Sequence, residues 1–113
     1  MKIKNKDNSE HYFWGNLCDG WHLLDTSSLS IIQERMPAGT EESHHYHSSS
    51  QQFFYILKGT AEFEVDNLKY VVEANNGFHI KPLEIHKIAN ISEVDLEFLV
   101  ISEPKSHGDR INV

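Results

Sequence analysis

The sequence predicts an all-β protein, a single domain of short antiparallel strands closed into a sandwich or barrel. Three observations lead there. The chain breaks into brief segments rich in β-branched and aromatic residues, among them "WHLL", "QQFFYIL", "TAEFEV", "LKYVVE" and "LEFLVIS". Turn-forming clusters separate them at short intervals: "DG", "PAG", "KG", "DN", "NNG" and "NISEVD", the spacing expected of sandwiches and barrels. One hairpin is legible outright, because Ala61, Phe63 and Val65 alternate with Glu62 and Glu64, and Asp66-Asn67 then supplies a two-residue turn.

Residues 1–10 are polar and unpatterned and read as a flexible leader, tied down only where the aromatics that follow dock. Residues 11–113 form one unit, a barrel domain that begins near "HYFWGNLCDGW" and ends in a short C-terminal tail, "KSHGDRINV". The segment "SLSIIQERM" carries Ser30 and Gln33 at the spacing of a helix capping box. Pro37 and Gly39 would stop such a helix after about two turns, a marginal length, and the adjacent isoleucines favour a strand. Strand is the expectation. No internal repeat, low-complexity tract or linker divides the chain.

Composition narrows the function. At 113 residues the chain can bury one modest core. Seventeen acidic residues against ten Lys and Arg give a formal charge of −7, with no basic stripe, so nucleic acid and anionic membranes are excluded as expected partners. No apolar run approaches a membrane span. The single Cys18 forms no internal disulfide, and "MKIKNKDNSE" has no apolar stretch of the kind a secretion signal needs. Both point to a reducing, cytoplasmic setting.

The stretch "HHYHSSSQQFFYILKG", residues 44–59, carries the chemistry. On a strand, successive side chains alternate faces, so His45 and His47 share one face while His44 and Tyr46 share the other. Only one pair can chelate. Gln52 lies on the following strand, and His86, in "KPLEIHKIAN", can close the site from a neighbouring strand. Neutral imidazole is the commonest biological metal ligand, and three would hold a first-row ion at about 2.1 Å.

This order of residues resembles the cupin superfamily. Its first motif runs G-x5-H-x-H-x(3,4)-E-x6-G; here Gly39, His45, Tyr46, His47, Gln52 and Gly59 fall at matching intervals, with Gln52 where the family usually has Glu. Its second motif, G-x5-P-x-G-x2-H-x3-N, aligns with Asn75, Lys81, Leu83, His86 and Asn90. The ligand His and the final Asn are kept, while both glycines and the proline are replaced. The resemblance implies a jelly-roll barrel over roughly residues 21 to 102, often a homodimer, holding one divalent transition metal (Fe, Mn, Ni or Zn). Carried over position by position, the ligands are His45, His47, Gln52 and His86. It further implies a protein that binds or acts on a small molecule, as a metal-dependent dioxygenase or isomerase would, and Gln52, which adds no charge to the ligand set, makes an anionic molecule the expected one. The competing reading is a non-catalytic module that senses a sugar or acid.

Other residues carry blander expectations. His11, His22 and His79 are single residues on strands or their edges, and His107 sits in the tail. Phe54, Tyr55 and Phe98 read as core rather than as an aromatic cage. Cys18 reads as a structural thiol. One of Glu34 and Arg35 must face the barrel interior, but both faces of that strand are apolar and leave the phase open. No dedicated acid or base stands out.

Overall fold

A computed structural model describes residues 2–113 and contains eleven strands among them. They are β1 (Glu10–Trp14), β2 (Cys18–Asp25), β3 (Ser30–Met36), β4 (His45–His47), β5 (Gln51–Lys58), β6 (Thr60–Val65), β7 (Leu68–Glu73), β8 (Gly77–Ile80), β9 (His86–Asn90), β10 (Leu96–Glu103) and β11 (Arg110–Asn112). All pairings are antiparallel. One sheet runs β1-β2-β3-β10-β5-β8 and the other β11-β4-β9-β6-β7. This is the jelly-roll that the sequence motifs imply. No helix among the described residues is long and apolar enough to cross a membrane.

Alternation along the strands builds the interior. In β6, Ala61, Phe63 and Val65 are buried and their neighbours are not; in β10, Leu96, Phe98, Val100 and Ser102 follow the same rule. These faces meet over a core that includes Phe54, Ile56, Phe63, Ile88, Leu96 and Phe98. The edge-on contact of Phe54 with Phe63, with centroids 5.0 Å apart, ties the two sheets together. Phe54 and Phe98 are thus core residues, as expected, whereas Tyr55 is not: it follows Phe54 on the same strand, so it points to the outer face and is only half-buried. "SLSIIQERM" forms β3, because Ile32 and Met36 bury on one side while the strand pairs with β2 and β10 on its two edges. Two-sided pairing outweighs the local capping signal.

The turns explain several sequence choices. Asp66 and Asn67 have φ of +52° and +66°, the two left-handed residues that a two-residue hairpin requires. Gly59, the last glycine of the first motif, has φ +84°, and a Cβ there would lie 2.9 Å from the carbonyl oxygen of Asp95. Only glycine fits. At the two glycine positions of the second motif, Asn75 and Leu83 adopt φ of +68° and +72°. Both positions hold the left-handed backbone that glycine adopts most readily, although neither is glycine.

Two segments differ from the plain reading of the chain ends. Lys6–Asn8 form a 3-10 turn capped by Asn5, whose side-chain oxygen accepts from the backbone N–H of Asp7 and Asn8. The C-terminal residues are more than a tail: β11 pairs with β4, setting Arg110 opposite His47 and Asn112 opposite His45.

Candidate metal centre

Along each inward-facing row, apolar side chains give way to polar ones at one end of the barrel. On β5 the row runs Ile56, Phe54, Gln52; on β10 it runs Leu96, Phe98, Val100, Ser102; on β9 it begins with His86. β4 adds His45 and His47, both inward, with Tyr46 on the opposite face. His45 lies directly across from His86 in the ladder. The three imidazoles are almost wholly buried, at 2%, 5% and 0% exposure for His45, His47 and His86, too little for surface histidines. One ring nitrogen from each lies within 4.8 Å of the others, close enough for a single ion to be shared.

Backbone carbonyls orient two of the rings. Nδ1 of His45 donates to the Ser43 carbonyl at 2.9 Å, and Nδ1 of His86 donates to the Glu84 carbonyl at 2.8 Å. Those bonds fix the tautomer and leave each Nε2 as a bare lone pair. Nε2 of His86 and Nδ1 of His47 are buried with no hydrogen-bond partner among the described residues. So is Oε1 of Gln52, whose amide Nε2 donates to Ser102 Oγ at 3.1 Å. Buried polar atoms are rarely left unmatched. Three imidazoles and an amide oxygen, with acceptor atoms unmatched in a buried pocket, make a donor set that fits a divalent first-row ion.

Burial holds the imidazoles neutral. It lowers the pKa of His45 to about 3 and of His47 to about 4, with repulsion from His86 and Arg110 adding to both, and it lowers that of His86 as well. Neutral rings present their lone pairs to a metal without first losing a proton.

These groups open onto a cavity of about 260 Å³. Ile32, Phe54 and Val100 form its apolar wall, and Tyr12, Trp14 and Glu34 stand on the side of β1 and β3. The phase left open by the sequence is resolved here: Glu34 faces the cavity, while Arg35 turns outward to ion pairs with Asp19 and Asp95. Tyr12, Gly20 and Glu34 lie in register across three strands. A Cβ on Gly20 would fall 2.3 Å from the Tyr12 ring, so glycine there lets the ring lie flat across β2 and donate its hydroxyl to Glu34 Oε2 at 3.0 Å. Burial, reinforced by the charge of Glu42, raises the Glu34 carboxyl to about 8, against the pull of Tyr12. Burial raises Glu42 to about 7, against the attraction of Arg110. The cavity therefore does contain candidate acid-base groups, which the sequence did not single out.

The C-terminal segment supplies the remaining wall through Ser106, His107, Gly108 and Arg110. His107 packs edge-on against His22, centroids 5.2 Å apart, and close to Tyr12. The remaining histidines lie away from the cluster: His11 contacts Asp19 at 2.7 Å, His44 contacts Glu64 at 2.9 Å, and His79 contacts Gln51 at 2.9 Å. Cys18 is fully buried against Thr40, and burial raises its thiol, as suits a structural residue. Glu42 and Arg110 were missed because neither sits in a patterned segment. The one available hint was "EESHHYH", which sets Glu42 three residues before His45.

Comparison with known proteins agrees with this geometry. Residues 32–102 match the family model for the cupin domain, a span that includes all three histidines and Gln52. The chain is 36% identical over 81 residues to an uncharacterized protein, MJ1618, of Methanocaldococcus jannaschii; the alignment covers 71% of this chain and 65% of that protein. KdgF from Halomonas sp. superposes with a TM-score of 0.85 at 16% identity, over 95% of this chain and 98% of that one. A protein from Thermotoga maritima described as a predicted oxalate decarboxylase superposes with a TM-score of 0.82 at 20% identity, over 91% of this chain and 99% of that one. At such identities the likeness speaks to the fold.

Proposed function

This chain belongs to the cupin family, and from that premise we propose that it is a divalent-metal protein that binds a small anionic molecule in its barrel and acts on it. The observation that carries the reading is the convergence of three buried, neutral imidazoles beside the unmatched Oε1 of Gln52. His45, His47 and His86 would hold the ion, with Gln52 as a fourth, neutral ligand. The ion would supply Lewis-acid polarisation of a bound oxygen, whichever of Fe, Mn, Ni or Zn it is.

The chain's own residues give the cavity its preference. Gln52 brings no charge where a glutamate would bring one, so a divalent ion keeps its full charge within the ligand set. Together with Arg110 it outweighs Glu34 and Glu42 even when both carboxyls are ionised. An anion is the ligand that compensates this site. The chain Gln52–Ser102–Ser106, through hydrogen bonds of 3.1 and 3.3 Å, holds the amide so that its oxygen faces the cavity. Ile32, Phe54 and Val100 keep water from the ligand's flank, which strengthens each polar contact. Glu34 holds a proton near neutral pH with one oxygen engaged by Tyr12, and its other oxygen can give or take a proton at the ligand. The description carried by the Thermotoga maritima neighbour makes oxalate a sensible first probe.

The test is calorimetric titration of metal-loaded protein with oxalate, acetate and a neutral diol. Oxalate should bind most tightly and the diol least, and Gln52→Glu should tighten metal while weakening oxalate about tenfold or more. A wild type that prefers the diol, or a Glu variant that holds oxalate equally well, would contradict the charge argument.

A further inference from the structure

Arg110 is the single Lys or Arg among the described residues that line the cavity. Its position follows from strand register. β11 pairs antiparallel with β4, and residues directly opposite in such a ladder project to the same face. Arg110 is opposite His47, whose ring faces the interior, so the guanidinium stands beside the histidine cluster. Backbones of opposed residues lie roughly 4.5–5.5 Å apart, which is the scale separating the two side chains' bases.

The guanidinium is loosely held. Its Nε donates to Asn112 Oδ1 at 2.9 Å, but Nη2 reaches the Ser43 carbonyl only at 3.4 Å and Nη1 reaches Glu42 Oε2 only at 3.5 Å. Of the five N–H donors, the two terminal nitrogens therefore retain capacity for a closer, forked contact. Glu42, in turn, has a second attachment: its Oε1 accepts the backbone N–H of Ile88 at 3.2 Å. It stays anchored if Arg110 turns away.

We propose that Arg110 is the carboxylate-recognising residue of the cavity, and that the ligand is a short dicarboxylate or 2-oxo acid with one carboxylate on Arg110 and its other oxygens directed to the histidine cluster. The inference deepens the proposed function and rests on its metal-and-anion reading. It assigns the ligand a length as well as a charge. The limit on length is the enclosure: the acid must reach from Arg110 to the histidines inside a cavity of about 260 Å³, where a longer flexible chain would have to fold back at a cost in rotamer freedom. Glu42 acts as the guanidinium's partner when no ligand is bound, and the ligand's carboxylate takes its place.

The experiment compares wild type, Arg110→Met, Arg110→Lys and Glu42→Gln, each loaded with Zn(II). Zinc affinity and the affinities for oxalate and for glutarate are measured on the same preparations. Wild type should prefer oxalate to glutarate. Arg110→Met should weaken oxalate about tenfold to a hundredfold while zinc affinity stays within about twofold, since a charge-assisted forked contact is lost and the ligand set is kept. Arg110→Lys should recover part of the loss, having the charge without the fork. Glu42→Gln should tighten oxalate by removing the competitor. Wild type and Arg110→Met binding oxalate equally would overturn the inference alone, as would a Glu42→Gln variant weakened as much as Arg110→Met. Zinc-loaded wild type that binds no oxalate would overturn the anion reading and the inference together.

Discussion

Leu83 holds a left-handed backbone at φ +72° with a side chain 65% exposed, so it carries the conformational cost of a glycine position without compensating burial. What holds it there is the site. Its backbone N–H donates to the His47 carbonyl at 2.8 Å, pinning the loop before His86 against the strand that carries the other two histidines. Leu83→Gly should therefore stabilise the protein by about 0.5–1 kcal/mol, the left-handed penalty outweighing the extra chain entropy, as read from the midpoint of chemical unfolding. A lower midpoint would mean that the leucine makes a contact the geometry does not reveal. The sequence showed that the motif's glycine was gone; it could not show that the backbone would accept the strain, because the hydrogen bond responsible joins residues 36 positions apart. Glu34 is the opposite case. In sequence its strand carries apolar residues on both phases, Ile31 with Arg35 and Ile32 and Met36 with Glu34, and only the burial of Ile32 and Met36 and the reach of Tyr12 across Gly20 show that the carboxyl turns inward.

Among the elements, the C-terminal strand departs most from its sequence. Three exposed residues with no alternation give no strand signal, and the partner strand β4 lies more than 60 residues earlier. The segment is nonetheless locked. The Asp109 carboxylate accepts the backbone N–H groups of Ser49 and Ser50 at 3.0 and 2.9 Å, and Ser50 Oγ donates to the Pro104 carbonyl at 2.6 Å. Asp109→Ala leaves two donors unmatched and should cost about 1–3 kcal/mol in unfolding free energy. The same change should weaken oxalate more than metal, because it frees the wall that carries Arg110 and leaves the two strands that carry the three histidines intact. Equal losses of both ligands would place the strand's role in the metal cluster itself. By contrast, β6 and β7 were legible to the residue, since alternation and a two-residue turn are local signals.

At the scale of the molecule, the two sheets form a barrel whose apolar end supplies stability and whose polar end supplies the site. The strand order could not be read from local pattern and is given by the structure; what the spacing of His45, His47, Gln52 and His86 carried was the resemblance that implied a jelly-roll. The outer face of the six-stranded sheet exposes Phe53 and Leu57, beside the partly buried Tyr55, Leu99 and Ile101. An apolar face of this kind is suited to a second copy, and light scattering at micromolar concentration should give twice the 13.1 kDa chain mass. A monomer mass would leave that face to solvent.

Everything proposed for the cavity depends on an ion at the three imidazoles. Elemental analysis of protein purified without chelators is the most direct measurement of that claim, made on wild type and on His47→Ala after circular dichroism shows both to be folded. Wild type should hold close to one divalent first-row ion per chain, and the variant a small fraction of that. Equal metal content in the two, or a folded wild type that takes up no such ion even when supplied with one, would contradict that claim.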